Sequence, residues 1–309
     1  SVRHQHITAL LLEGQRLIAS PNLPNKLETQ DSILGLRENL STWCLYGLLM
    51  AGLTFGAFGN LSTHLFDGED TQYLRDAAVS QRDFSFVTSP DRIYPGRPTF
   101  NLYLWVAYKL FGDDPAGYHN LQVCLHLAVS LLLAFTFRRL GSNFELSLIG
   151  GLLFLLNVAH FRAVHWISCT NYLLALFLGL TALLLYSHGL RTRNSRWSYA
   201  AAAVLAIAIF AHASTVAITL PLLILTLTAK LPKLKVIHLL IPQFAIAGIC
   251  GILLIFVYPK APQLVMASRA SQPVELVLNL FWFWGRLITT AHWLPEFLDL
   301  AETTVWERT

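Results

Sequence analysis

The chain has 309 residues, of which 54% are apolar and only 13% charged, with a net charge of +4 and a mean hydropathy of +0.51. A soluble domain carries about 25% charged residues, so this balance excludes an ordinary soluble globule. The small net charge excludes a nucleic-acid binder. Several apolar runs of near-spanning length point instead to an all-α polytopic membrane protein.

Residues 1–40 are a polar tail, placed in the cytoplasm by the distribution of basic residues along the chain. Ile7, Leu10, Leu11, Leu17 and Ile18 fall on one helical face, which suits a membrane surface or a protein partner. Ser20-Pro-Asn-Leu-Pro breaks that helix, and the rest of the tail is expected to be extended. No cleavable signal peptide is expected, because the first apolar run lies too far in. The start without Met and the end at Trp306-Glu-Arg-Thr predict a processed chain or part of a longer one.

The transmembrane domain is expected over 41–295, with 296–309 as a C-terminal segment. Span one is 42–58, and an outer loop, 59–117, comes after it. Within that loop, 99–111 is apolar and aromatic but only about 13 residues long, and it carries Asn101 and Lys109. A crossing needs about 20 residues, so this segment reads as a helix lying in the interface. Span two is then 118–137, span three 144–159 and span four 171–187. Spans five and six form a tight pair, 197–212 and 215–229, before span seven at 236–258 and span eight at 275–294.

Charge supports that count. With the N-terminus inside, the cytoplasmic connections carry Arg138, then Arg191, Arg193 and Arg196, then Lys230, Lys233 and Lys235. These are short, basic and nearly free of acid, as the positive-inside rule requires. Counting 99–111 as a crossing would place all of them outside. The same reading puts the acidic loop on the outer face.

That loop, 65–73, reads Leu-Phe-Asp-Gly-Glu-Asp-Thr-Gln-Tyr, and crowds Asp67, Glu69 and Asp70 at a membrane–water boundary. Neighbouring carboxylates repel one another, which suits a base or a cation ligand; a solvated acidic loop is the plainer reading. Asp70 is the candidate base, Glu69 the neighbour that raises its pKa, and Asp67 the reserve. No cofactor is required, and a divalent cation, Mg or Mn, is the alternative use of these oxygens. Arg97 suits a lipid phosphate held bidentately, or equally a structural partner for Asp91. His160, Arg162 and His165 mark the outer ends of spans three and four as candidate substrate contacts. Their spacing keeps all three off one helical face, and no metal-ligand set emerges. His126 reads as a helix–helix contact, Asp113 and Asp114 as caps, and Phe281-Trp-Phe-Trp284 with Trp293 as an interfacial belt.

The order of these motifs resembles a known family. An acidic pair after span one precedes Arg97-Pro98 and an aromatic helix ending Leu110-Phe-Gly112. Pro115-Ala-Gly-Tyr-His119, His126, Ala163-Val-His-Trp-Ile-Ser168 and a span with Pro221 come next. Over roughly 42–230 this resembles the GT-C superfamily of polyprenyl-phosphate-sugar-dependent glycosyltransferases. The nearest branch is that of the protein O-mannosyltransferases, the transmembrane TPR-containing O-mannosyltransferases and their bacterial relatives.

The resemblance implies a GT-C-like bundle of about eight spans with an outward-facing first loop and interfacial helix. It implies a sugar donor on dolichyl or undecaprenyl phosphate, and a catalytic carboxylate in Glu69-Asp70. It implies an integral, multi-pass protein of the bacterial inner membrane or, in a eukaryote, of the endoplasmic reticulum. The partners expected are the lipid-linked donor, membrane lipids and a protein docked through 1–40. The chain departs from the pattern at Glu69, where Asp is usual, at Gln122, where Asn is usual, and at Ser214-Thr215, where a Lys-Glu pair is common. No TPR array comes after these spans. The alternative is a non-catalytic GT-C-like subunit acting as a scaffold in a larger complex. A transporter would predict mid-span charges and matched broken helices, and the spans carry few charges.

Overall fold

The computed structural model describes residues 25–157, 161–229 and 232–258, with side chains from Leu40 onward except at 161, 162, 233 and 234. Every regular element among the described residues is helical. Span eight, the Phe281–Trp293 cluster and residues 296–309 lie outside them.

Helix α1 runs Asn25–Phe58, which corrects the expectation of extended chain up to residue 40. Once the apolar run is helical, each added residue gains a hydrogen bond without a new nucleus. Leu27, Glu28, Gln30, Leu34, Leu36 and Arg37 are all good helix formers. The chain divides into two compact units, 1–49 and 50–309, with the division inside α1. The second unit holds the end of α1 and all the helices after it.

After a 3-10 turn at Gly59–Thr63 come α2 (Asp70–Arg82), α3 (Pro98–Phe111) and α4 (Pro115–Leu140). Next are α5 (Phe144–Leu156), the short α6 (Phe161–His165), α7 (Thr170–Thr192) and α8 (Ser195–Ala211). A 3-10 stretch at Ala213–Ile218 leads into α9 (Thr219–Thr228), and α10 spans Lys233–Val257. Helices α7 and α8 pack along their length, α4 lies against α5 and α7, and α10 lies against α8. Tyr186, Leu205, Ile209 and Leu222 are buried in one apolar core between α7, α8, α9 and α10.

Polar side chains link these apolar helices. Ser198 Oγ donates to the Leu239 carbonyl at 2.9 Å, and Gln243 Nε2 donates to the Ser198 carbonyl at 2.7 Å. The Tyr186 and Thr226 hydroxyls bond across α7 and α9. His126, fully buried, sits 3.1 Å from the Leu155 carbonyl, the helix–helix contact expected of it. Such bonds hold helices together where outward surfaces are apolar, and here Leu153, Ile224 and Phe256 are among the large side chains left exposed.

Among the described residues, four helical stretches are long and apolar enough to cross a membrane: Leu40–Thr63, Pro115–Leu140, Ile167–Thr192 and Lys235–Val257. The expected spans three, five and six fall on shorter apolar helices, Phe144–Leu156, Ser195–Ala211 and Ala213–Thr228. At 1.5 Å per residue a 13-residue helix reaches only about 20 Å of a core about 30 Å thick.

The helix ends sort by charge. Asp70 bonds Ile167 and Ser168 beside the start of α7, and Tyr258, after α10, donates to the Thr88 carbonyl at 2.8 Å. The loop between α1 and α4 is therefore gathered at one end of the bundle. Arg138 and Arg139 at the end of α4, Arg191 in the last turn of α7, Arg193 just after it and Arg196 at the start of α8 are exposed at the opposite end.

Helix α3 is fastened to α2 and the loop after it. Asn101 Nδ2 donates to the Val87 carbonyl at 3.0 Å, Trp105 Nε1 to the Ser80 carbonyl at 3.1 Å, and Gln81 Nε2 to the Trp105 carbonyl at 2.8 Å. One face, Phe100, Leu104 and Ala107, is buried, while Leu102, Val106 and Leu110 form an exposed apolar stripe at helical spacing. A helix of 14 residues with one face on protein and an apolar stripe outward suits an interface.

Candidate functional site

The acidic loop turns at Gly68, whose φ of +46° lies in the left-handed region that suits glycine. The turn delivers Asp70 to the start of α2, where its N–H bonds the Asp67 carbonyl at 2.9 Å. A carboxylate in a first helical turn also meets the positive end of the helix dipole. The Asp70 side chain is completely buried. Its Oδ1 accepts the Ser168 N–H at 2.7 Å, and its Oδ2 accepts the Ile167 N–H at 3.3 Å and the Asp67 N–H at 3.4 Å. Asp70 thus clamps the acidic loop to the segment before α7.

Glu69 and Asp67 are exposed beside it. Glu69 lies beside the Tyr94 hydroxyl, where its charge adds to the effect of burial on that phenol. Tyr94 stacks on Tyr73, with ring centroids 4.6 Å apart and planes 10° from parallel. On the other side of this pair, Arg97 Nη1 donates to the Tyr73 hydroxyl at 2.9 Å. Burial raises both phenols above their ordinary range, and Glu69 adds to the rise, while Arg97 opposes it. Both tyrosines therefore keep their protons and remain donors. Arg97 Nε is buried with no hydrogen-bond partner, so the guanidinium is held by one bond and keeps unused donor capacity.

The expected alternative of Arg97 pairing with Asp91 is not what the fold uses. Arg92 fills the structural role. Its Nε lies 3.7 Å from Asp76, and its Nη1 donates to Ser80 Oγ at 2.8 Å and to the Phe86 carbonyl at 3.1 Å. Asp76 also accepts the Ile93 N–H at 3.1 Å. This buried pair fixes the loop that presents Tyr94 and Arg97.

His212 ends α8, near enough to feel the Arg97 charge. Burial and then the Arg97 charge push it down from 6.5 to about 4, so it is neutral near pH 7. Its Nδ1 lies 2.7 Å from Ser214 Oγ and accepts the Ser214 backbone N–H at 3.3 Å. A backbone N–H can only donate, so Nδ1 is the acceptor and Nε2 carries the proton. The ring leans on Tyr172 at 4.5 Å.

The structure thus brings Asp67, Glu69, Asp70 and Arg97 together. His165 belongs to another group, with its ring 6.0 Å from His64 and 6.5 Å from Phe58. His64 in turn lies 6.3 Å from His119, which is buried with neither ring nitrogen in a well-aligned hydrogen bond. Arg162 is placed in α6 by its backbone, its side chain lying outside the described set, and His160 lies outside the described residues. Asp114 caps α4, its Oδ1 accepting the Ala116 N–H at 3.1 Å. Gln122 Nε2 donates to the Ala163 and Trp166 carbonyls, both at 2.7 Å, and so shapes the segment that Asp70 holds.

Among the described residues, no three His, Cys, Asp or Glu side chains gather as ligands for a metal ion. Both Asp70 oxygens accept from backbone N–H donors, and Asp67 and Glu69 remain as exposed carboxylates. Tyr73, Tyr94, His212 and Ser214 are not among the predicted site residues. Tyr73 lies four residues after Glu69, one helical turn on, which is a readable signal; His212 has none beyond its place at a helix end.

Comparison with family models, with characterised proteins and with solved structures finds no match to this chain.

Proposed function

We propose that this chain is a multi-pass membrane glycosyltransferase of GT-C type, moving a sugar from a polyprenyl-phosphate carrier to an acceptor hydroxyl on the outer face. One observation carries the reading. A reachable carboxylate, Glu69, and a cation with spare donor capacity, Arg97, flank one stacked tyrosine pair at the end of an apolar bundle opposite its basic connections. The sorted helix ends support the topology. Helices α4 and α7 both start at the end that holds the acidic loop and both finish at arginines, which leaves that loop outside when the arginines lie inside. The apolar stripe on α3 supports its place in the interface.

The reaction asks for a base and a stabilised leaving group. Glu69 takes the proton of the acceptor hydroxyl as its oxygen bonds to the anomeric carbon. The bond from that carbon to the phosphate oxygen breaks, and the phosphate leaves with the electron pair, its charge met by Arg97. Tyr73 and Tyr94, kept protonated, hold Arg97 and Glu69 at the two edges of the site. Asp70 fixes the loop and takes no proton. The base thus moves one residue from the sequence expectation, because a buried carboxylate bonded to three N–H groups cannot reach an acceptor. The test is sugar transfer from a lipid-linked donor by the purified chain, compared with Glu69→Gln.

A second reading, the non-catalytic scaffold, is favoured by Ser214-Thr215 standing where a Lys-Glu pair is common and by the structural use of Asp70. It predicts isolation of the chain as a stoichiometric part of a larger membrane complex, with no transfer by the purified chain.

A further inference from the structure

The turn between α7 and α8 reads Arg191-Thr-Arg-Asn-Ser-Arg-Trp197, and Arg191, Arg193 and Arg196 are all exposed on it. The turn is built to keep one shape. The Asn194 N–H bonds the Gly189 carbonyl at 3.1 Å, Asn194 Oδ1 accepts the Arg196 N–H at 3.0 Å, and the His188 ring meets Trp197 edge-on at 4.8 Å. A Cβ at Gly189 would come within 3.0 Å of the Trp197 Cβ, so glycine lets the start of α8 close on the last turn of α7. Lys235 brings a further cation to this end. It lies one helical turn before Leu239, whose carbonyl accepts Ser198 Oγ, two residues after Arg196.

Two of the arginines stand where the local backbone does not favour them. Arg193 has a φ of +54° and is the one residue other than glycine in the left-handed region among the described residues; glycine would take that place at lower cost. Arg196 lies in the first turn of α8, at the positive end of the helix dipole, which disfavours a cation. Little within the chain answers these charges. Between Asp114 and Glu275 the one acidic residue is Glu145, and among the described residues no carboxylate pairs with any of the three arginines. The positive-inside rule asks for basic residues on this side of the membrane. It does not ask for an arginine in a left-handed cap, nor for three of them on a fixed turn.

Trp197 and Tyr199, 37% and 56% exposed, stand beside the array. Exposed Trp and Tyr near the end of an apolar span sit at the depth of the lipid headgroups, which puts the guanidiniums at the level of the phosphates. A guanidinium meets phosphate oxygens through two parallel N–H donors. We infer that the α7–α8 turn docks anionic phospholipid at the membrane surface, its headgroup phosphate met by Arg193 with Arg191 and Arg196 flanking it along the turn. The inference needs only that the chain spans a bilayer, and it is independent of sugar transfer.

The full chain is purified in detergent and incubated with equimolar dioleoylphosphatidylglycerol and dioleoylphosphatidylcholine, and native mass spectrometry counts the lipids retained. Phosphatidylglycerol is expected to be retained about fivefold or more over phosphatidylcholine, the effect of one basic residue near an anionic surface. Arg193→Gly removes the central guanidinium and eases the backbone. Its melting temperature is expected to stay level or rise while the preference falls about threefold or more. A photoreactive phosphatidylglycerol in nanodiscs is expected to label residues 191–199 of the unaltered chain, which keeps the test open if that variant misfolds. Equal retention of the two lipids, a parent-like preference in Arg193→Gly, or labelling confined to other helices overturns the inference. Displacement of the lipid by polyglutamate at equal charge also overturns it, and would assign the arginines to an acidic protein segment.

Discussion

Replacing Asp70 by Asn separates a clamp from a base. The side chain keeps its volume, but one acceptor oxygen becomes an NH2 group that cannot accept. The least costly arrangement keeps oxygen on the Ser168 N–H, now at 2.7 Å, and turns the NH2 toward Ile167 and Asp67, whose N–H groups lie 3.3 and 3.4 Å from Oδ2. Two bonds to a charged acceptor are lost, each worth about 1.5–3 kcal/mol, with long bonds at the low end. The total is about 3 kcal/mol, or a fall in melting temperature of roughly 6–12 °C for a unit of this size. Thermal unfolding of the purified protein in detergent, followed by tryptophan fluorescence, measures the first effect. Amide exchange at Ile167 and Ser168 measures the local one and is expected to accelerate. An Asn variant that melts within about 2 °C of the parent, with unchanged exchange at both amides, would refute the clamp.

The same geometry sets three further outcomes. Arg97→Gln keeps a donor for Tyr73 but removes the charge, so transfer is expected to fall by roughly 10²–10³-fold with folding intact; steady-state rates against donor concentration check it. His212 is lowered from 6.5 to about 4 in the folded chain, so between these values the unfolded chain binds more protons. Its contribution is complete above 6.5 and is lost as pH falls toward 4, by about 3 kcal/mol at most; His212→Asn is expected to flatten the stability profile in that window. Single cysteines at Asp67 and Arg193 are expected to react with impermeant maleimide from opposite sides of sealed vesicles, and labelling from one side would refute the topology.

Much of the architecture is legible in the chain. The run 99–111 declares itself too short to cross, and Asn101 within it turns out to face Val87, fastening α3 to the loop instead of spending a polar group on lipid. His126 and Asp114 behave as their positions suggest, one between helices and one at a helix start. The cluster of Asp67, Glu69 and Asp70 is visible as composition, yet their division of labour is not. Asp70 is decided by N–H groups 97 and 98 residues away, and no local pattern announces that contact. His212 is hidden in the same way, because its importance comes from Arg97 on another element. The length of α1 is masked by polarity, which suggests extension, whereas helix propagation needs only good formers behind a stable turn.

On the proposed reading, Glu69 is the carboxylate that takes the acceptor proton. The most direct measurement is single-turnover sugar transfer from a polyprenyl-phosphate donor by the parent chain and by Glu69→Gln, with farnesyl phosphate binding measured on both. A loss of roughly 10²–10⁴-fold in transfer with donor binding retained is the expected result. Equal transfer by the two proteins, or no transfer by the parent at saturating donor, would contradict it.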